Sequence, residues 1–321
     1  MDYSRIENVV NVPTLQEKRV TVFGAGASIG LIEDLVRSGV RRFLIIDFDR
    51  VGAENMARQG HDSADIGQFK ADAAKAKIME INPEAEVEIL TLDLTKVPED
   101  VAATYVAGTD IFVAATDSFA CQALVNRLSL MLNVPVVSVG IYAGGTGGEA
   151  VWTDPIHKLP CFRCLCANRY AAHEQQLLTA PNVSLDPSSQ GADIFSVRLI
   201  DAIAGQLVLG LLTQGAANRY GRLIEQLGDR QFIQLSMSPE FALNGRDIVR
   251  EKLQVPEGNE AYVTWNSIAL ADPDRGQLPC LDCEQIRRHK FELVDGHYVR
   301  RIPGQRDSGT SPDAVVGGTV S

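Results

Sequence analysis

The chain has 321 residues, of which 45% are hydrophobic and 22% charged, and its formal net charge is −11. That length supports one large or two ordinary domains with a sizeable core. The acidic balance argues against nucleic acid or a membrane surface as the main partner, while leaving room for a local basic pocket. No charged-then-apolar leader opens MDYSRIENVV, and the most apolar run, LIDAIAGQLVLGLL, is short and carries Asp201. A cytoplasmic chain without a membrane span is expected. Six cysteines are few for a disulfide scaffold of this size, and four of them fall in two CxxC pairs. In a reducing compartment that pattern means metal or redox chemistry.

In chain order, residues 1–18 read as a short helix or arm. From Arg19 to about Gly140 strands and helices alternate: RVTVFG, a helix from about Ile29 to Ser38, RFLIID, a helix from about Phe69 to Ile81, EVEILTL, DIFVAAT, a helix from about Phe119 to Leu132, and VPVVSVG. Short β-branched strands separated by helices of this length predict an α/β fold with a doubly wound, Rossmann-like, mostly parallel sheet, whose ligands sit at the carboxyl ends of the strands. Beyond Gly140 the pattern changes. GGTGGEAVWTD reads as an antiparallel strand, PCFRCLC follows, and residues 167–192 lose periodicity after Leu178, as a crossover loop would. An apolar helix from about Ala192 to Thr213 closes the first domain, residues 19–213. Residues 214–302 lean to β (QFIQLSM, AYVTWNSIAL and a hairpin FELVDGHYVRR turning at Asp295-Gly296), and the Gly/Ser/Asp-rich tail 303–321 is expected to be disordered. There is no internal repeat.

Chemistry concentrates between Arg19 and Lys70. Gly24, Gly26 and Gly30 lie between a strand and a helix, where backbone N–H groups can meet a phosphate, but their spacing is looser than GxGxxG and does not choose a cofactor. Asp47 and Asp49 end the next strand in IIDFD. There one acid can hold a ribose while the other faces solvent or a helix cap. Next come Asn55, Arg58 and Gln59 in VGAENMARQ, then Lys70 in DIGQFKADAAKAK. An Arg and a Lys at this separation can be plain surface charges. Following a nucleotide-type strand end they fit nucleotidyl transfer, in which charge develops on the α-phosphate and pyrophosphate; a nicotinamide enzyme has no use for them.

Taken together, IIDFDRVGAENMARQ, DIGQFKADAAKAKIMEINPEAEV, VAATDSFACQALVN, PVVSVGIYAGGTGGEAVWTDP and PCFRCL, in this order, resemble the ThiF/MoeB/HesA adenylyltransferases of the ubiquitin-activating superfamily. The resemblance covers about residues 1–213. It implies that Asp47 binds the ribose, that Asn55, Arg58, Gln59 and Lys70 surround the triphosphate of ATP, and that Asp117 in AATDS ligates Mg²⁺. A hard cation beside phosphates wants such a carboxylate. Arg5, in DYSR, stands where the family often has a Y-x-R-Q arm reaching the ATP of a partner subunit, but Ile6 replaces the glutamine, so a surface arginine remains the alternative. The glycine turn is one residue off the family's usual length, and Gln122 stands where relatives often carry arginine.

Cys161-x-x-Cys164 and Cys280-x-x-Cys283 are two knuckles, the ligand set of a closed structural Zn²⁺ site. The resembled family has the same arrangement. A redox CxxC would open a helix in a thioredoxin-like unit, and that context is missing. Such a zinc would pin the C-terminal segment to the nucleotide domain. Some relatives form a thioester on a crossover-loop cysteine, but residues 167–192 contain none. Cys121, one turn from Asp117, is the stronger of the two remaining thiols and Cys166 the weaker; burial makes a thiol inert. The histidines lack metal spacing, His61 reads as a loop residue near the nucleotide motif, and Trp152 and Trp265 read as strand core.

The expectation is therefore an adenylyltransferase in which the C-terminal glycine carboxylate of a ubiquitin-like or sulfur-carrier protein attacks Mg·ATP, the unit being a homodimer and the crossover loop covering the partner's tail. Adenylation of a short peptide, a silent subunit of a heterodimer, and a nicotinamide-dependent oxidoreductase stand as alternatives.

Overall fold

A computed structural model describes residues 1–157, 160–180, 191–237, 264–269, 280–287, 290–294 and 297–301. Its centre is an eight-stranded sheet in the order β3-β2-β1-β4-β5-β6-β7-β8. The strands are β1 (Arg19–Phe23), β2 (Arg42–Ile46), β3 (Glu86–Leu90), β4 (Ile111–Ala114), β5 (Val136–Ile141), β6 (Gly147–Thr153), β7 (Phe232–Ser236) and β8 (Thr264–Ile268). Pairings from β3 to β5 are parallel and those from β5 to β8 antiparallel. This is the mostly parallel α/β sheet with an antiparallel extension that the sequence predicts. A separate antiparallel pair joins β9 (Lys290–Val294) to β10 (His297–Arg301). The Asp295-Gly296 turn between them lies outside the described residues, as do the tail beyond Arg301 and the side chain of Trp265.

The helices follow from the apolar periodicity: α1 (Val12–Gln16), α2 (Ile29–Arg37), α3 (Lys70–Ile81), α4 (Glu99–Tyr105), α5 (Phe119–Leu132), α6 (Phe162–Leu165), α7 (Ala167–Thr179), α8 (Ile194–Leu212), α9 (Leu223–Leu227) and α10 (Leu281–Arg287). One face of the sheet packs on α2, α3 and α8 through Val20, Val22, Phe43, Ile45, Leu31, Ile78 and Leu207. The other packs on α4 and α5 through Phe23, Leu44, Phe112, Ala102, Leu124 and Leu128. A parallel strand covered on both faces reads as a continuous apolar run, which is why RVTVF, RFLII and IFVA were legible.

α8 is long and apolar enough by composition to cross a membrane. Much of it is buried against the sheet and α2, as in the core helix of a globular domain. Residues 167–179, expected as the start of an irregular crossover, form α7 instead; residues 181–190 lie outside the described set.

Candidate functional site

The strand order runs outward from β1 to β3 and then resumes on the other side of β1 with β4. That reversal opens a crevice at the carboxyl ends of β1 and β4. The chain leaves β1 at Gly24, where φ is +94°. A Cβ there would lie 2.4 Å from the Ala115 carbonyl oxygen, while the Gly24 amide donates to the Ile46 carbonyl at 2.9 Å. The turn thus threads between the ends of β2 and β4, where only glycine fits. Gly24→Ala is expected to cost about 3 kcal/mol or more through backbone overlap and a left-handed conformation. The cost is read as a lowered urea midpoint; an unchanged midpoint would mean that the turn has another shape.

Asp47 is buried at the end of β2. Its Oδ2 accepts from the Ala25 amide at 2.7 Å and its Oδ1 from the Asp49 amide at 2.9 Å, so it clamps the glycine turn to β2. Burial pushes its carboxyl above the usual range, against the pull of the two amides and Lys70. Each oxygen keeps acceptor capacity for a ligand hydroxyl. Asp49 faces outward and holds Lys70 Nζ at 3.0 Å. A β-bridge between Arg50 and Phe69 brings their two segments together.

Asn55 is buried and its Oδ1 accepts from the Gly52 amide at 2.8 Å, shaping the turn that carries Arg58 and Gln59. Arg58 is half-buried, without a side-chain hydrogen bond or ion pair among the described residues. Gln59 is buried against the glycine turn: a Cβ on Gly26 would lie 3.0 Å from its Nε2, and its Oε1 has no hydrogen-bond partner. An orphaned amide beside a bare backbone is a cradle for a polar ligand. His61, which the sequence left as a loop residue, is buried there too. Its Nε2–H donates to the Ala25 carbonyl at 3.1 Å, and burial keeps its pKa below the ordinary value.

Asp117 is exposed in the turn after β4. Gln122 Nε2 donates to the Thr116 carbonyl at 2.9 Å, so at this position glutamine fastens the turn beside Asp117. Two residues beyond Asp117, Phe119 meets Tyr170 edge-to-face and His173 at a tilt, both on α7, at 4.9 and 4.8 Å between ring centroids. Arg169, also on α7, pairs with the buried Glu149 of β6. The crossover helix therefore leans on the first turn of α5, next to Asp117. Arg5 is exposed in the N-terminal turns and makes no hydrogen bond or ion pair with the residues above. Cys121 is half-buried on α5, and burial pushes the Cys166 thiol up to about 12, which leaves it protonated.

Gly30 serves packing. A Cβ there would lie 1.4 Å from Nη1 of Arg198, on α8. One turn farther along α8, Asp201 is buried with Oδ2 unpartnered. Burial pushes its carboxyl up to about 7, against the pull of Arg198 and the Leu31 amide. Unfolded, it titrates near 3.8. Between those values the native state keeps a proton that the unfolded chain has lost, so stability falls as pH rises. The unfolding free energy of Asp201→Asn minus that of wild type should therefore grow by roughly 3 kcal/mol from pH 4 to 7, then level off. Urea titrations across that range measure it, and a flat difference would remove Asp201 as the titrating group.

The second site is the cysteine cluster. The Sγ atoms of Cys161, Cys164, Cys280 and Cys283 all lie within 4.8 Å of one another, and three pairs are 3.8, 3.5 and 3.7 Å apart. Four sulfurs around a metal at 2.3 Å would form a tetrahedron with edges of about 3.8 Å, so the donor set fits a tetrahedral ion. Asn126 on α5 ties the two knuckles together: its Oδ1 accepts from the Phe162 amide at 3.0 Å and its Nδ2 donates to Asp282 at 2.9 Å. Arg163 reaches the same Asp282 at 3.1 Å.

The profile of the ThiF family matches residues 6–295. The chain belongs to the ThiF family. Among relatives of this ThiF-family chain, the sulfur carrier protein adenylyltransferase of Thermus thermophilus is 31% identical over 199 residues, covering 60% of this chain and 67% of that protein. The SAMP-activating enzyme E1 of Haloferax volcanii is 34% identical over 155 residues, covering 47% of this chain and 54% of that protein. The match thus spans between about half and two thirds of these relatives' lengths. The crystal structure of E. coli MccB with SeMet MccA shares the fold, at a TM-score of 0.57 and 16% identity, over 85% of this chain and 68% of that one.

Proposed function

We propose that this chain adenylates the C-terminal glycine carboxylate of a ubiquitin-like or sulfur-carrier protein. A carboxylate oxygen attacks the α-phosphorus of ATP, the bond from that phosphorus to the bridging oxygen of the β-phosphate breaks, and acyl-adenylate and pyrophosphate result. No general base is required, because the carboxylate is already ionised at neutral pH. The observation that carries the reading is the convergence of Asp47, Gln59 and the Lys70–Asp49 pair around the Gly24–Gly26 turn at the sheet's switch point. The names of the two ThiF-family relatives above agree with it.

In this reading Asp47 takes the ribose, Asn55 and Gln59 line the triphosphate, and Arg58 and Lys70 neutralise the charge that moves onto pyrophosphate. Asp117 would hold a Mg²⁺ whose positive charge draws electrons from the phosphates. The four cysteines would hold a structural Zn²⁺ that takes no part in the chemistry. Residues 19–213 form the adenylation domain, and the unit is a cytoplasmic homodimer with Arg5 directed to the partner's nucleotide.

ATP–pyrophosphate exchange with purified protein tests the reading, with carrier proteins ending in glycine, or short peptides, as the second substrate. Exchange that depends on the carrier and is lost in Asp117→Ala supports it. Exchange with peptides alone would transfer the reaction to a peptide substrate, and none with any acceptor, from a folded protein, would favour a silent subunit.

A further inference from the structure

α8 brings two charged side chains to the start of α2. Arg198 and Asp201 lie three residues apart, on one helix face. The Arg198 guanidinium covers Gly30, with Cζ 2.4 Å and Nε 2.9 Å from where a Cβ would stand. Its Nη2 lies 3.0 Å from the corresponding position on Gly60, which also faces Ile29 Cγ2 at 2.3 Å. The guanidinium is therefore wedged between the first turn of α2 and the residue that follows Arg58 and Gln59. Two glycines make room for it.

The wedge is held from behind. Asp193 caps α8, its Oδ1 accepting from the amides of Phe195 and Ser196. Ser196 Oγ lies 2.6 Å from Asp193 Oδ2 and 3.1 Å from the Gly145 carbonyl, which fixes this end of α8 on the turn between β5 and β6. Asp201, on the same helix face, is buried with Oδ2 unpartnered, and Arg198 and the Leu31 amide draw its carboxyl toward the charged form against burial. Among the described residues Arg198 makes no hydrogen bond of its own, so what it contributes is shape and a fixed separation between two backbone segments.

We infer that Arg198 is a positioning residue of the nucleotide site: it sets the spacing between the glycine turn and the segment Asn55–Gly60, and through it the placement of Arg58 and Gln59. This rests on the ATP reading above. A planar guanidinium suits the role because it can lie flat on two bare backbone units, which neither a flexible ammonium nor a short amide can do.

A double-mutant cycle on the full chain tests it, read as the Kd of a non-hydrolysable ATP analogue. Arg198→Gln should weaken binding about tenfold and leave the KM for the carrier substrate within twofold. In an Arg58→Ala background the same substitution should cost less than twofold, because the group it positions is gone. Arg198→Lys, which keeps the charge but not the planar guanidinium, should recover little of the loss, and full recovery would show that charge rather than shape is what Arg198 supplies and would overturn the inference. A Kd for Arg198→Gln within twofold of wild type, or losses that multiply fully across the cycle, would overturn the inference while leaving the ATP reading standing. A wild-type chain that binds no adenine nucleotide would overturn both.

Discussion

Lys70→Ala is expected to lower carrier-dependent ATP–pyrophosphate exchange by about 10³-fold while changing folding stability by less than about 1 kcal/mol. Lys70 opens α3 with its side chain 12% exposed, and its ion-pair partner is Asp49, which is 57% exposed. A pair with one such solvated partner is cheap to break, so an arriving phosphate can take the ammonium from the carboxylate at little cost. The cation then stands beside Asp47 and the glycine turn, where the proposed reaction puts negative charge on the leaving pyrophosphate. A preorganised donor at such a point is worth about 10²–10³ in rate, and one carrying full charge belongs at the upper end. Exchange kinetics and urea titration of the same preparations separate the effects. A fall below tenfold would place Lys70 outside the reaction, and a large fall in stability would make it structural.

Loss of the zinc proposed for the cysteine cluster should be as damaging to the fold as Lys70→Ala is to the rate. Cys164→Ser, or a strong chelator at neutral pH, is expected to lower Tm by about 10 °C or more, because structural zinc sites commonly contribute many kcal/mol. The knuckles are not independent of the core: Asn126 bridges them, Arg163 and Asp282 pair across them, and Cys164 and Cys283 are buried among Leu130 and its neighbours. Removing the ion leaves four thiolates with mutual repulsion or four protonated sulfurs in a space sized for a cation. Metal analysis should give one zinc per chain in wild type and little in Cys164→Ser. Acidification should release it as protons compete for the thiolates. Asn126→Ala should reduce stability by a smaller step, about 1–3 kcal/mol, by orphaning the Phe162 amide and one oxygen, Oδ2, of Asp282. Purified protein without zinc and with an unmoved Tm would end the metal reading.

The parallel half of the fold was legible because its strands are buried on both faces and its helices carry apolar stripes; the starts of α2 and α5 fall where the pattern put them. α4 was missed because its buried face is only Ala102 and Ala103, too small to mark a period. α7 ends at Thr179, beside the Leu178 where periodicity stops, but it buries Tyr170 alone and leans on α5 by edge-to-face aromatic contact, so the sequence placed it inside the crossover rather than as a helix. In the site, the order of strand ends was enough to gather Gly24, Asp47, Asp49, Gln59 and Lys70. His61 was undervalued because a sequence does not display burial. Arg198 was invisible because α8 reaches α2 only through tertiary packing. Asp201, an acid inside an apolar run, speaks in the sequence only against a membrane span; its place on the face that meets α2 shows only in the fold.

The cysteine cluster also sets a timetable. Cys161 and Cys280 are 119 positions apart in the chain, whereas the βαβ contacts of β1, β2 and β3 join neighbours. At the usual speed of a ribosome, about 5–20 residues per second, the second knuckle follows the first by roughly 6–24 s. For that interval the newborn chain carries β1 to β6 and only the first of the two cysteine knuckles, Cys161 and Cys164.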